Sequence, residues 1–260
     1  MSTSTRALLS ACVITYNEAD RIDDCLGSLA FCDEVIVVDA HSTDATREIA
    51  ARHGVRVIER DWPGYRSQKE YAVRAALHDW VLCLDADERV TPALRAAIEQ
   101  RAAAGFAGAA GFRVCRISDY FGRFLRHGNA YPDWLVRLFD RRRGAYRGYE
   151  IHENIWVDGP VGKLDGHVEH FPYRSLADQV TRWEKYSDLM AQAMHQAGRR
   201  AGVLRLVVNP AWRFLRGYVL RLGFLDGWRG LAFHLLEANY VRQKYLKLLL
   251  INAGYPTRHG

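Results

Sequence analysis

The chain has 260 residues, 49% of them apolar and 25% charged, which is the size of one large domain or of a domain with an appendage, and an ordinary globular composition. Disordered, collagenous and repeat architectures are excluded, and the length suffices to bury a sizeable core. The net charge is +6, but from Arg199 onward eleven basic residues face two acids, Asp226 and Glu237, while the first 198 residues carry a slight acidic excess, so the chain is not a uniformly basic nucleic-acid binder.

The first hundred residues alternate between buried strands and helices. Residues 8–15 form an apolar, β-rich run, and 17–30 show helical spacing with Ile22, Leu26 and Leu29 on one face. The run 34–39 (EVIVVD) predicts a second buried strand, and 42–53 a helix with Ser42 or Thr43 as cap and Gly54 closing it. A third strand is expected at 55–59, a helix at 67–77, and a fourth strand at 80–85 (WVLCLD). Thr91-Pro92 then opens a helix to about Ala103, with proline at its first position. Continuous apolar strands alternating with helices imply an α/β fold with a mainly parallel sheet covered on both faces.

Further on, 111–118 and 135–140 read as strands, 121–131 as a loop rich in glycine, arginine and aromatics, and 141–144 as a basic turn. Two His/carboxylate clusters follow, at 150–153 and 166–170, and 176–196 reads as a helix. From Arg199 the pattern predicts short apolar segments broken by Pro210, Gly217, Gly223, Gly227 and Gly230.

Three predicted strands end in polar clusters: Thr15-Tyr16-Asn17-Glu18, Asp39-Ala40-His41-Ser42 and Asp85-Ala86-Asp87-Glu88. Open α/β sheets bind ligands outside the carboxyl ends of their strands, so three such ends on one edge make one site. Neither GxGxxG nor GxxxxGK[ST] is present, which argues against a Rossmann dinucleotide site and a P-loop. Asp85 and Asp87, at i and i+2 past a buried strand, can offer oxygen ligands to Mg²⁺ or Mn²⁺, with a substrate's phosphates completing the shell. The competing reading makes them turn and capping acids ahead of Pro92.

The five cysteines include no CxxC pair, so a reducing compartment without zinc or disulfides is expected. The N-terminal stretch does not resemble a signal peptide, and the longest uncharged runs are about 11 residues, short of the roughly 18–20 a spanning helix requires. The expectation is a chain neither secreted nor threaded through a membrane.

Taken in order, Ala11-Cys12-Val13-Ile14-Thr15-Tyr16-Asn17-Glu18, the segment from Val35 through Asp39-Ala40-His41-Ser42-Thr43-Asp44 to Thr46, and Leu82-Cys83-Leu84-Asp85-Ala86-Asp87-Glu88 resemble glycosyltransferase family 2. Tyr131-Pro132-Asp133-Trp134-Leu135-Val136-Arg137-Leu138-Phe139-Asp140, Ile151-His152-Glu153 and Gly223-Phe224-Leu225-Asp226-Gly227 are similar to its lipopolysaccharide-core glucosyltransferase branch. The resemblance implies a GT-A fold, a nucleotide-sugar donor and inversion at the anomeric carbon. It implies a transferase domain over 1–198, with a nucleotide half to about 110 and an acceptor half beyond, and a helical extension over 199–260.

The resemblance also implies roles. Thr15, Asn17, Glu18 and Asp39 would hold uracil and ribose, Asp39 accepting the base's imide N–H; a helix cap is the alternative for Asp39, and a first-turn acid for Glu18. Gln68 and Lys69 would face the nucleotide or else start a solvated helix. Asp85 and Asp87 would hold the cation, with contact to the donor's ribose as the alternative for Asp85, and His152 or His170 would complete the shell or touch the diphosphate; a structural role is the commoner alternative for each histidine. Arg137 would pair with phosphate or with a carboxylate of the site. An inverting transfer needs a base opposite the leaving group. Glu153 is the first candidate, with a salt bridge to the Arg141–Arg147 cluster as the alternative, and Asp133 is the second.

The tail interleaves Trp212, Phe214, Leu215, Tyr218, Val219, Leu222 and Phe224 with Arg213, Arg216 and Arg221. That pattern suits peripheral contact with an anionic membrane, or a helix packed on the body with arginines on its wet face. Nucleic acid is not an expected partner, because no binding motif is present. The expected activity is transfer of a hexose, glucose first, from a UDP-sugar with Mg²⁺ or Mn²⁺ to a lipopolysaccharide inner-core acceptor, at the cytoplasmic face of a bacterial inner membrane. Transfer to polyprenyl phosphate or another membrane glycolipid is the alternative. A sugar-phosphate nucleotidyltransferase and a non-enzymatic membrane-surface protein are more distant ones.

Overall fold

The structure, a computed structural model, describes residues 6–149 and 152–255; the side chains of Tyr149, His152 and Glu153 also lie outside what it describes. The chain forms two compact units. One holds the described residues up to Arg116 together with Asp133–His170; the other holds Ile117–Pro132 and the described residues from Phe171 onward.

The first unit is built on β1 (Leu9–Thr15), α1 (Ile22–Ser28), β2 (Glu34–Asp39), α2 (Thr46–Arg52), β3 (Arg56–Glu59), α3 (Tyr65–Ala75), β4 (Trp80–Asp85), β5 (Glu88–Val90) and α4 (Pro92–Ala103). The strands β6 (Gly111–Ser118), β7 (Asp133–Asp140), β8 (Gly144–Tyr149), β9 (His152–Val157) and β10 (Val161–His170) follow. Among the described residues, eight strands form one sheet in the order β3-β2-β1-β4-β7-β6-β10-β5, and β8 and β9 pair separately. The pairings β3/β2, β2/β1 and β1/β4 are parallel, as the alternating pattern requires. Beyond β4 the sheet is mixed: β4/β7, β7/β6 and β10/β5 are antiparallel.

Every residue of β1 is buried, which is why it reads as a continuous apolar run rather than an alternating one. Leu9, Ala11 and Val13 pack with Ile22, Leu26 and Leu29 under one face. Cys12 and Ile14 pack with Ala72, Val73 and Ala76 under the other.

Helix starts differ from the sequence expectation for local reasons. The first helix begins at Ile22 rather than near Asn17, because Asn17 adopts a left-handed φ of 53° and its side chain accepts the Thr43 N–H. The second begins at Thr46, and Ser42 does not cap it; the Ser42 hydroxyl is committed to Asp39 and to the Asn17 N–H. The third runs Tyr65–Ala75, two residues earlier at each end than expected. Thr91 and Pro92 open α4 as expected, the Thr91 hydroxyl accepting the Leu94 N–H. At Gly166, φ is +90° and an added Cβ would stand 2.3 Å from the Leu94 nitrogen, so glycine lets β10 lie against the start of α4.

The second unit contains α5 (Leu176–Gln196), α6 (Val203–Phe214), a π-helical turn (Leu215–Leu220), a 3₁₀ turn (Gly223–Asp226) and α7 (Gly227–Asn252). Both α5 and α6 pack on α7. Gly227, at φ +65°, does break the chain between the 3₁₀ turn and α7, but Gly230, also expected to be a breaker, lies inside the 26-residue helix that follows. A Cβ on Gly230 would stand 2.0 Å from the Gly223 carbonyl oxygen; this glycine permits a close crossing and does not end the helix. Pro210, also expected to break the chain, lies buried inside α6.

Candidate active site

Parallel register brings the three polar strand ends to one edge of the sheet. Thr15 on β1 stands opposite Asp39 on β2, and Ile14 opposite Asp85 on β4. Hydrogen bonds then stitch the first two ends together. The Asn17 N–H donates to the Ser42 hydroxyl at 2.9 Å, and the Glu18 N–H to that of Thr46 at 2.9 Å. Asp39 is fully buried and accepts the Ser42 N–H at 2.8 Å and its hydroxyl. It organises the turn after β2 and does not cap α2. Glu18 lies 3.5 Å from the Arg21 guanidinium.

Gln68 and Lys69 are both buried on α3, which removes the reading of a solvated helix start. Lys69 Nζ lies 2.9 Å from Asp85 Oδ1, and Arg137 Nη2 lies 3.4 Å from Asp85 Oδ2. Burial alone would raise the Asp85 carboxyl, but the charges of Lys69 and Arg137 outweigh it and hold the group well below the usual carboxylate range. Arg137 also pairs with Glu88, which is fully buried and reached by Arg116 at 3.3 Å. Arg116 in turn holds Asp133 at 2.8 Å. Lys69, Asp85, Arg137, Glu88, Arg116 and Asp133 therefore form one chain of alternating charge.

Asp87 faces a different set. Because β5 pairs with β10 so that Glu88 opposes His170, His170 Nε2 comes within 3.6 Å of Asp87 Oδ2, and Arg21 Nη1 within 3.9 Å. Burial pushes the Asp87 carboxyl upward, yet the charge and hydrogen bond of His170 prevail, and the group stays below its ordinary value. No group of three or more His, Cys, Asp or Glu among the described residues is assembled as a metal cage. The donor set still fits Mg²⁺ or Mn²⁺, which take one or two carboxylates and complete the shell with substrate phosphates and water. Asp85 is tied to two cationic side chains and is the less available of the two aspartates.

Several buried polar atoms on this edge have no hydrogen-bond partner among the described residues: Thr15 Oγ1, Arg21 Nη1, Gln68 Nε2 and Arg137 Nε. Buried polar groups are satisfied in all but a few cases, so these atoms could bond a ligand or water at this edge; other such atoms, Gln179 Nε2 and Arg213 Nε among them, lie away from it. Of the two candidate bases, Asp133 is engaged by Arg116. The side chains of Glu153 and His152 lie outside the described residues, and the backbone places Glu153 on β9 opposite Gly148. Within the basic cluster weighed as its partner, Arg142 is held by Asp79 and Asp140, and Arg147 lies 3.8 Å over the Trp156 ring.

Sequence reasoning gave no role to Glu88, Arg116 or Arg21. The signal was available in part for Arg116, one of two arginines in a mainly apolar strand, since a charge that is taken out of water demands a partner. Glu88→Gln leaves Arg137 and Arg116 short of a buried counter-charge and is expected to destabilise the fold by roughly 3 kcal/mol. Urea denaturation followed by circular dichroism measures this, and an unchanged midpoint would show that the network contributes little.

Comparison with known proteins matches residues 10–158 to the family model described as glycosyl transferase family 2. The lipopolysaccharide core biosynthesis glycosyltransferase LpsC of Rhizobium meliloti is 30% identical over 251 residues, covering 91% of this chain and 93% of its own. An uncharacterized glycosyltransferase of Rickettsia felis is 29% identical over 237 residues, covering 85% and 82%. Among solved structures, the mannosyltransferase PcManGT from Pyrobaculum calidifontis, in complex with GDP-Man and Mn²⁺, aligns with a TM-score of 0.54 at 16% identity, over 95% of this chain and 88% of that one. This last likeness is one of fold, the GT-A fold.

Proposed function

The chain belongs to glycosyl transferase family 2, and from that premise we propose that it moves glucose from UDP-glucose, with inversion and metal assistance, to the inner core of lipopolysaccharide. The observation that carries the donor side is the strand-end edge, where Asp39, Asp85 and Asp87 converge with buried, unsatisfied donors and acceptors. The acceptor class is drawn from the LpsC relative. The place of action we propose is the cytoplasmic face of the inner membrane, reached peripherally. No helix among the described residues is long and apolar enough to cross a membrane. Family membership sets aside the nucleotidyltransferase reading.

In this proposal Thr15, Asn17 and Glu18 line the base and ribose, and Asp39 accepts the uracil imide N–H. Gln68 and Lys69 approach the nucleotide from α3. Arg137 and Lys69, positioned by Asp85 and Glu88, present positive charge to the diphosphate. Asp87, with His170 and Asp85, would hold Mg²⁺ or Mn²⁺, which when bound offsets the charge gathering on the leaving diphosphate. An acceptor hydroxyl oxygen forms the new bond to the anomeric carbon as the bond to the diphosphate oxygen breaks. Its proton passes to the Glu153 carboxylate, with Asp133 as the alternative base, and UDP departs with the bonding electron pair.

A donor screen by calorimetry in Mn²⁺ tests the nucleotide assignment. UDP should bind well above CDP and ADP, and Asp39→Ala should weaken UDP binding by about 1–3 kcal/mol, or about 5- to 150-fold. Equal binding of UDP and CDP by the wild type would remove Asp39 from base recognition.

A further inference from the structure

We propose that the solvent-facing apolar side of α6, with the turns that follow it, is a wedge that seats in an anionic phospholipid surface. The proposal rests on the peripheral placement above and names the residues that would make it. Val203, Leu204, Val207, Val208, Trp212 and Leu215 recur at spacings that put them along one stripe of the helix, the kind of stripe a globular protein turns toward its core. Here the stripe is turned outward: Leu204 is 74% exposed and Val207 66%. The buried residue of the helix is instead Pro210, and α6 packs on α7. Exposed apolar side chains continue through both turns, Leu220 and Leu225 among them, to Trp228 on α7. Soluble monomers rarely leave so much contiguous apolar chain uncovered.

Charge selects the occupant. Arg205, Arg216 and Arg221 are exposed on the same segment, and none makes an ion pair among the described residues. The two acids of the tail are turned inward. Asp226 is buried and accepts the N–H groups of Arg126 and His127, while Glu237 is held by Arg213 and Asn129. The outward face therefore combines apolar bulk with charge of one sign. A second copy would bring like charges together, whereas anionic headgroups neutralise them and acyl chains take the apolar stripe. The face lies on a membrane and does not span it, since no described helix is long and apolar enough.

Co-sedimentation of the full chain with phospholipid vesicles tests this. The wild type should pellet with phosphatidylglycerol/phosphatidylethanolamine vesicles and at least ~10-fold more weakly with phosphatidylcholine. The triple variant Leu204→Ser/Val207→Ser/Trp212→Ser should lose ~10-fold or more of its vesicle binding at an unchanged melting temperature, since these side chains are already exposed. Arg216→Gln/Arg221→Gln should lose the preference for anionic vesicles. Absence of wild-type binding, or equal binding by the wild type and the triple variant, would overturn the proposal. So would a wild-type dimer, seen by light scattering, that the triple variant dissolves; that result would assign the face to a second copy. The assay contains neither donor nor acceptor, so it decides this proposal whatever the acceptor proves to be.

Discussion

Asp87→Ala is expected to lower turnover by ~10³-fold or more, because it removes the carboxylate best placed to hold the divalent cation whose charge offsets the leaving diphosphate. Asp85, two residues earlier, is already engaged by Lys69 and Arg137, so it cannot substitute without breaking that pair. Asp87 is held more loosely, by His170 at 3.6 Å and Arg21 at 3.9 Å. The variant should therefore fold, bind UDP more weakly, and respond little to added Mn²⁺. Treating the wild type with EDTA should reproduce the loss, and EDTA should add little to the variant. Full activity of the wild type in EDTA, or of Asp87→Ala in Mn²⁺, would remove the metal from the account.

Glu153→Gln is expected to cost ~10²–10⁴ in kcat with little change in UDP affinity. Glutamine keeps the size and hydrogen-bonding reach of the side chain but cannot accept a proton at neutral pH. A sugar hydroxyl must lose its proton as it attacks, so the loss falls on the chemical step. A polyprenyl phosphate acceptor attacks as an anion, and the same substitution should then be mild. Asp133→Asn, measured alongside, separates the two carboxylates. An inactive Asp133→Asn beside a near-wild-type Glu153→Gln would move the base to Asp133, at the end of the network through Arg116. Activity of both variants on lipopolysaccharide would mean that neither is the base.

The parts of the fold legible in the sequence are those whose signal is local. The strands β1, β2 and β4 are rich in buried apolar residues, and α5 carries a Ser175 cap that accepts the Asp178 N–H; each announces itself within a dozen residues. The strand-end clusters were legible for the same reason, since a carboxylate directly after a buried strand fixes which edge it reaches. The three residues of β5 were not, because so short a strand exists through its pairing with β10, and that pairing is what sets His170 beside Asp87. Nor was α7, where Gly230 looks like a breaker until Gly223 is seen against it. The roles of Glu88 and Arg116 depend on ion pairs among side chains of β5, β6 and β7, which a linear pattern does not encode.

Hexose transfer to lipopolysaccharide is read from the mass of a truncated acceptor after incubation with purified protein, UDP-glucose and Mn²⁺. The proposed function requires the gain of one hexose, an inverted anomeric configuration at the new linkage, and stoichiometric release of UDP. An acceptor of unchanged mass with every UDP-sugar tried, beside measurable transfer to a polyprenyl phosphate, would contradict it.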